Sequence, residues 1–191
     1  MHISLRHSES GTSLMTVLII LVLVSLLGVG GAQIAMMSER GARNDRDMQL
    51  AWQSGEAALL DAESDIHDST STRISVFDGK TTSFFLDGCG TSGTSTGLCA
   101  LPGSGKPAWM TVDFTDTSNT AKSVALGTFT GKTFAAGGIG VQPAQAPRYI
   151  IEVVPDTIGS RSEPNYLYRV TAMGFGPRSD IQAVMQMVYR N

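Results

Sequence analysis

No side chain from Ser10 to Ser38 carries a charge, and the run from Leu14 to Val24 is apolar at every position but Thr16. About 20 apolar residues suffice for a helix to cross a bilayer, so this segment is long enough to span one. Its front edge is equally informative. Arg6-His7-Ser8-Glu9-Ser10 leads to Gly11, and Thr12-Ser13-Leu14-Met15 begins the apolar run. A secretory signal places a small-x-small cut site after its core, and the core is discarded. Here the processing-type residue, Gly11, comes first. A cut after Gly11 would remove a polar leader, residues 1–11, and leave the apolar helix on the mature chain with Thr12 at its start.

The helix need not stop at the membrane. No proline lies between Thr12 and Ile66, and Met48, Ala51, Trp52, Gly55, Ala58, Leu59, Ala62 and Ile66 recur at steps of three and four. That spacing is helical, so an apolar half over 12–38 continues into an amphipathic half over 39–67. Such a helix would be about 80 Å long. Glu39–Arg43 and Arg43–Asp47 stand four apart, close enough for weak attraction. Trp52 reads as a core or helix–sheet packing residue, as does Trp109 further along. Gly28, Gly30 and Gly31 interrupt the span near its far end. They suit close helix packing in a membrane, with Gly28 and Ala32 as a small-xxx-small pair, or a point where the helix can loosen.

Residues 68–191 turn to period two. Ile74–Phe77 and Lys80–Leu86 around Asp78-Gly79 read as a hairpin with a two-residue turn. Stronger strands are expected over 148–154, 166–175 and 181–190. In the second of these Tyr168, Val170 and Ala172 share one face and Arg169 and Thr171 the other. Short links favour antiparallel pairing. Met185 and Met187 read as a sheet face turned to the helix. The expected fold class is therefore α+β, a long amino-terminal helix packed on an antiparallel β-sheet. The region from Ser69 to Gly140 is rich in Gly, Ser and Thr and sparse in charge, which suits an exposed β-rich domain with long loops.

Cys89 and Cys99 are the two cysteines of the chain and bound a Gly/Ser/Thr loop with no histidine near, so a zinc site would lack ligands. A disulfide between them is the sharper reading, against two separate buried thiols. It would contribute roughly 2–3 kcal/mol and implies an oxidising compartment. Topology holds a conflict. Arg40, Arg43 and Arg46 follow the span while Arg6 precedes it, and this bias would put the carboxyl end in the cytoplasm. The cysteine pair places that end outside, and Glu39, Asp45 and Asp47 offset the arginines.

Catalytic motifs fail on context. Gly93-Thr94-Ser95-Thr96-Gly97 fits G-x-S-x-G, but a nucleophile elbow needs a strand before it, a helix after it and a histidine base. It lies inside the cysteine-bounded loop, and a flexible loop explains it. His2 and His7 would leave with the leader, and His67, beside Asp65 and Asp68, reads as a solvated neighbour of the helix end. Asp113, Asp116, Ser118 and Asn119 lack the glycine and terminal Glu of a calcium loop and read as a surface turn. The formal charge of −3 offers no stripe of phosphate-binding cations, so no nucleic acid is expected as a partner.

The leader layout resembles that of type IV prepilins, which a membrane peptidase cuts after the glycine before methylating the new amino terminus. The run from Glu39-Arg40 through Asn44-Asp45-Arg46 to Ala58-Leu59 and Ala62-Glu63 resembles the PilX family of minor pilins, as does the ending from Tyr168 to Arg190. The likeness covers the first third of the chain and the final quarter; residues 69–146 match nothing recognisable. It implies a type IV pilin-like fold, no enzymatic activity and no cofactor. It also implies a role in initiating pilus assembly at or near the fibre tip, in support of adhesion or twitching motility. The implied partners are other minor and major pilins, the prepilin peptidase and a large tip adhesin. The protein would reside in the inner membrane, its amino terminus cytoplasmic and its carboxyl domain periplasmic, before entering an extracellular pilus.

Two departures from the pilin pattern stand out. Thr12, the mature start and methylation site on this reading, replaces the usual Phe. Thr16, fifth in the mature chain, replaces the usual Glu. The Thr16 change fits a subunit with no neighbour above it to neutralise, or simply a tolerated small polar residue. Other readings of the whole chain are a minor pseudopilin of a type II secretion system and a solitary membrane-anchored periplasmic binding domain.

Overall fold

The computed structural model describes residues 12–138, 140–157 and 165–190. Residues 1–11, the expected leader with its Gly11, lie outside the described residues. Helix α1 runs unbroken over Thr12–His67, 56 residues, as the absence of proline and the spacing of apolar residues require. The chain divides into two compact units, 1–45 and 46–191.

The first unit holds the apolar half of α1. Its most hydrophobic window has a mean hydropathy of 2.7, which makes α1 long and apolar enough to cross a membrane by length and composition. The Glu39–Arg43 pair forms at 2.5 Å on an exposed surface, where such pairs are worth about 0.3–0.5 kcal/mol.

The second unit is the outer half of α1 laid on a five-stranded mixed sheet. β1 (Leu98–Cys99), β2 (Val124–Ala125), β3 (Arg148–Pro155), β4 (Tyr166–Phe175) and β5 (Gln182–Tyr189) make up the sheet. β3, β4 and β5 form an antiparallel meander in which Ile151 faces Val170 and Val170 faces Met187. The free edge of β3 is shared: β1 pairs with it in parallel at Ile151 and Glu152, β2 antiparallel at Arg148 and Tyr149. The parallel pairing departs from the all-antiparallel expectation, and it follows from the chain crossing the sheet end between Cys99 and Val124 instead of turning back in a hairpin.

Each face of β3 is buried, so the strand is apolar or paired almost throughout. Tyr149, Ile151 and Val153, with Tyr168, Val170 and Ala172 of β4, meet Ala58, Ala62 and Ile66 of α1 in the main core. On the opposite face Ile150 joins Cys89, Cys99, Ala108 and Phe114, with Trp109 and Met173 packed alongside. Trp109 thus packs as the sequence implies, and Met187 turns to the main core.

Two expectations fail. The Ile74–Leu86 hairpin does not form. Ile74–Val76 is a short 3₁₀ turn, and Leu86 makes just an isolated bridge to Cys99. The Asp78-Gly79 turn is real: the Asp78 carboxylate accepts from Lys80 N at 2.8 Å and Thr81 N at 2.6 Å, and Gly79 takes φ +72°. Its flanks are consumed by packing instead of a ladder. Phe77 meets Tyr168 edge-on at 5.3 Å and Phe85 stacks on it at 5.9 Å. The end of β4 holds the turn, with Gly79 N donating to the Tyr168 hydroxyl at 2.9 Å.

Trp52 is the second correction. It is 47% exposed, as is Met48 at 42%, while Ala51, Ser54, Gly55, Ala58 and Ala62 face inward. The reason is the closeness of helix to sheet. A Cβ built on Gly174 of β4 would lie 2.1 Å from Ala51 O and 2.2 Å from Gly55 N, and one on Gly55 would strike the Met185 Cε at 2.3 Å. An indole has no room at such a crossing, so the inward stripe is made of small residues.

Candidate assembly surface

Within its own unit, the apolar half of α1 is covered by no described residue. Leu14, Leu18, Leu21, Leu26 and Leu27 are each more than half exposed, as are Met15, Ile19 and Val22. Contiguous apolar surface on this scale marks a membrane or protein contact. The polar atoms within it are handled locally: the Ser25 hydroxyl donates to Leu21 O at 2.7 Å, a back-bond that keeps a hydroxyl tolerable in hydrocarbon. Thr16 lies exposed within this stretch of helix, and no acid occurs from Thr12 to Ser38. Gly28, Gly30 and Gly31 have no described atom within 4 Å of an added Cβ, so no contact with a described residue explains them. They leave shallow surface where another helix could approach.

The outer half of α1 is fixed by charge as well as packing. Asp65, one turn from the helix end, is completely buried and accepts four donors. Arg73 Nε donates to both its oxygens, at 3.1 Å to Oδ1 and 3.0 Å to Oδ2, and Nη2 donates to Oδ2 at 2.5 Å, while Ser71 Oγ donates at 2.8 Å and the Tyr149 hydroxyl at 2.9 Å. Arg73 is buried too. It donates onward to Thr94 O and Thr96 O at 3.0 and 2.6 Å and stacks 3.6 Å from the Phe129 ring. One turn earlier Asp61 accepts from Gly127 N at 2.7 Å and from the Thr130 hydroxyl. Two aspartates on one helix face therefore hold three loops against α1. Sequence reading placed Asp65 beside a solvated helix end and gave Arg73 no role.

This cluster sets an alkaline limit. Burial, and then the charge of Asp65, hold the Tyr149 hydroxyl well above the ordinary tyrosine pKa, against the opposing pull of Arg73. A folded pKa raised above the unfolded one gives stability that is complete below about pH 10 and is lost as pH climbs toward the folded value. Melting temperature is expected to fall above about pH 10, and Tyr149→Phe is expected to flatten that fall while costing about 1–2 kcal/mol near neutrality. Melts across the alkaline range of both proteins check this.

Cys89 and Cys99 are joined by a disulfide, as the sequence implies. It closes a loop on the sheet face away from α1. Cys89 adopts φ +72°, the one non-glycine in the left-handed region among the described residues. In the G-x-S-x-G stretch Gly93–Ser95 is a short 3₁₀ turn, and the Thr94 and Thr96 carbonyls are those that hold Arg73. Asp113 accepts from Thr115 N and Asp116 from Ser118 N, each at 2.8 Å, so both carboxylates cap turns of their own loop. His67 is exposed, with its ring 6.1 Å from that of Tyr189.

A long apolar amino-terminal helix whose outer half packs on a mostly antiparallel sheet is the architecture of type IV pilins. Residues 10–60 match the family model described as PilX N-terminal, and residues 95–191 match the one described as Type IV pilus assembly protein PilX C-term. The chain belongs to the PilX family of type IV pilus assembly proteins. No curated protein and no solved structure matches it.

Proposed function

We propose that this chain is a minor pilin that helps initiate type IV pilus assembly and sits at or near the fibre tip, supporting adhesion or twitching motility. It is made as a prepilin, cut after Gly11 and methylated on Thr12. It waits in the inner membrane with its disulfide-bearing domain in the periplasm. Its contacts are other minor and major pilins, the prepilin peptidase and, at the tip, a large adhesin.

The observation that supports this best is an apolar helix surface that lacks an acid at Thr16. A carboxylate in an apolar bundle is costly unless paired. In a shaft subunit the pairing group is the amino terminus of the subunit above, and a subunit with none above gains by carrying a neutral residue instead. Met48 and Trp52, four apart on the outer half of α1, are also exposed and offer apolar surface to a neighbouring subunit. Immunogold labelling of sheared filaments is expected to mark one end of each fibre. Even decoration along the shaft would contradict the tip reading, while absence from filaments would contradict the assembly reading.

A further inference from the structure

The edge where β2 joins β3 borders a groove of about 530 Å³, within the range of small-ligand sites. Its lining is unusual for a surface loop cluster. Thr91, Ser92, Thr117, Ser118, Asn119 and Thr128 line it, with no aromatic and no acidic residue in the wall; the Thr128 hydroxyl already donates to Ala125 O and can still accept. Its one charged lining residue is Arg148, itself 8% exposed.

Arg148 is set apart by what it lacks. The other described arginines of the domain, Arg46, Arg73, Arg169, Arg178 and Arg190, are all ion-paired at 3.2 Å or closer. Arg148 forms no ion pair with a described residue. Its Nε donates to Ser123 Oγ at 2.7 Å and its Nη2 to Ser123 O at 2.5 Å, both neutral acceptors, and Nη1 donates to no described residue. Burial depresses its pKa, and the charge of Asp116 opposes that from beyond ion-pair range. A buried cation is normally paired, because leaving it unpaired costs several kcal/mol. A guanidinium has five N–H donors, and the fork left over here suits a carboxylate.

We propose that this groove binds a carboxylated sugar, with Arg148 taking the carboxylate and the surrounding Ser, Thr and Asn side chains taking ring hydroxyls. A bare anion would use the guanidinium alone and leave the hydroxyl wall without a role. A neutral sugar would leave the guanidinium unpaired and has no aromatic platform to stack on. The site is independent of the tip assignment and stands or falls without it.

The test is ligand-observed NMR on the full chain in detergent micelles, with glucuronic acid, its methyl ester, glucose and acetate as probes. Glucuronate is expected to bind saturably. The ester and glucose should bind at least about tenfold more weakly, the worth of one charge-assisted pair, and acetate should be weaker than glucuronate. Arg148→Gln should abolish binding, and Asn119→Ala, on the exposed rim, should weaken it several-fold with the fold unchanged. The ester comparison keeps the charge requirement testable if Arg148→Gln fails to fold. Equal binding of acid and ester, acetate binding as tightly as glucuronate, or no saturable binding would each overturn the proposal.

Discussion

Gly174→Ala is expected to destabilise the protein severely, a loss of about 3–5 kcal/mol for one methyl group. The added Cβ would sit 2.1 Å from Ala51 O, 2.2 Å from Gly55 N and 2.7 Å from Gly55 Cα. These are backbone atoms of a regular helix, so none can rotate aside as a side-chain tip would. Relief requires α1 to lift from β4, and that would expose Ala58, Ala62 and Ile66 and break the Ser54 hydroxyl's bond from Phe175 N at 3.3 Å. A domain of ordinary stability, about 5–15 kcal/mol, would lose a large share of it. Urea titration of the purified protein reads the change as a collapse in midpoint. Gly41→Ala is the contrasting case, since nothing lies within 4 Å of its added Cβ on the same helix. There alanine's better helix propensity should leave stability unchanged or raise it by up to about 1 kcal/mol.

Arg73→Ala should cost about as much by a different route. Arg73 and Asp65 are both fully buried, and removing the arginine leaves a carboxylate in the core with two hydroxyl donors and no counter-charge. Breaking such a pair from one side costs about 3–5 kcal/mol. It also frees the Thr94 and Thr96 carbonyls, so the disulfide-bounded loop should loosen with it. Replacing both partners by apolar residues of similar size, Asp65→Leu with Arg73→Met, should cost markedly less than Arg73→Ala. A double-mutant cycle through the corresponding single changes should then give a coupling energy of about 2 kcal/mol or more. If the double variant were as unstable as the sum of the two singles, the pair would not be acting as a unit.

The parts of this fold legible in the sequence are those written in periodicity. Leu14 to Val24 could be little else than a helix in an apolar setting, and the alternation of Tyr168, Val170 and Ala172 against Arg169 and Thr171 set β4 and its inward face residue for residue. The Cys89–Cys99 bridge was legible by elimination, there being no other cysteine to pair with. What periodicity misses is competition for the same residues. Around Asp78 the turn chemistry is genuine, but Phe77 and Phe85 are drawn to Tyr168, a residue far along the chain, and the alternation there never becomes a strand. Trp52 sits at a correct helical interval, yet the Gly55–Gly174 crossing leaves space for small residues alone. Arg73 was illegible for a related reason. A single arginine in a polar loop carries no mark of the buried aspartate it will meet, and Asp65 carries no mark that it turns inward.

The account rests on a helix that stays attached because processing happens in front of it. Intact-mass and amino-terminal peptide mass spectrometry of the protein recovered from sheared filaments tests this most directly. The expected species begins at Thr12, carries a methyl group on that residue's amine, and is missing from cells making Gly11→Val, where the unprocessed precursor stays in the membrane. A mature chain beginning anywhere beyond the apolar segment, or a filament-borne form still carrying residues 1–11, would contradict it.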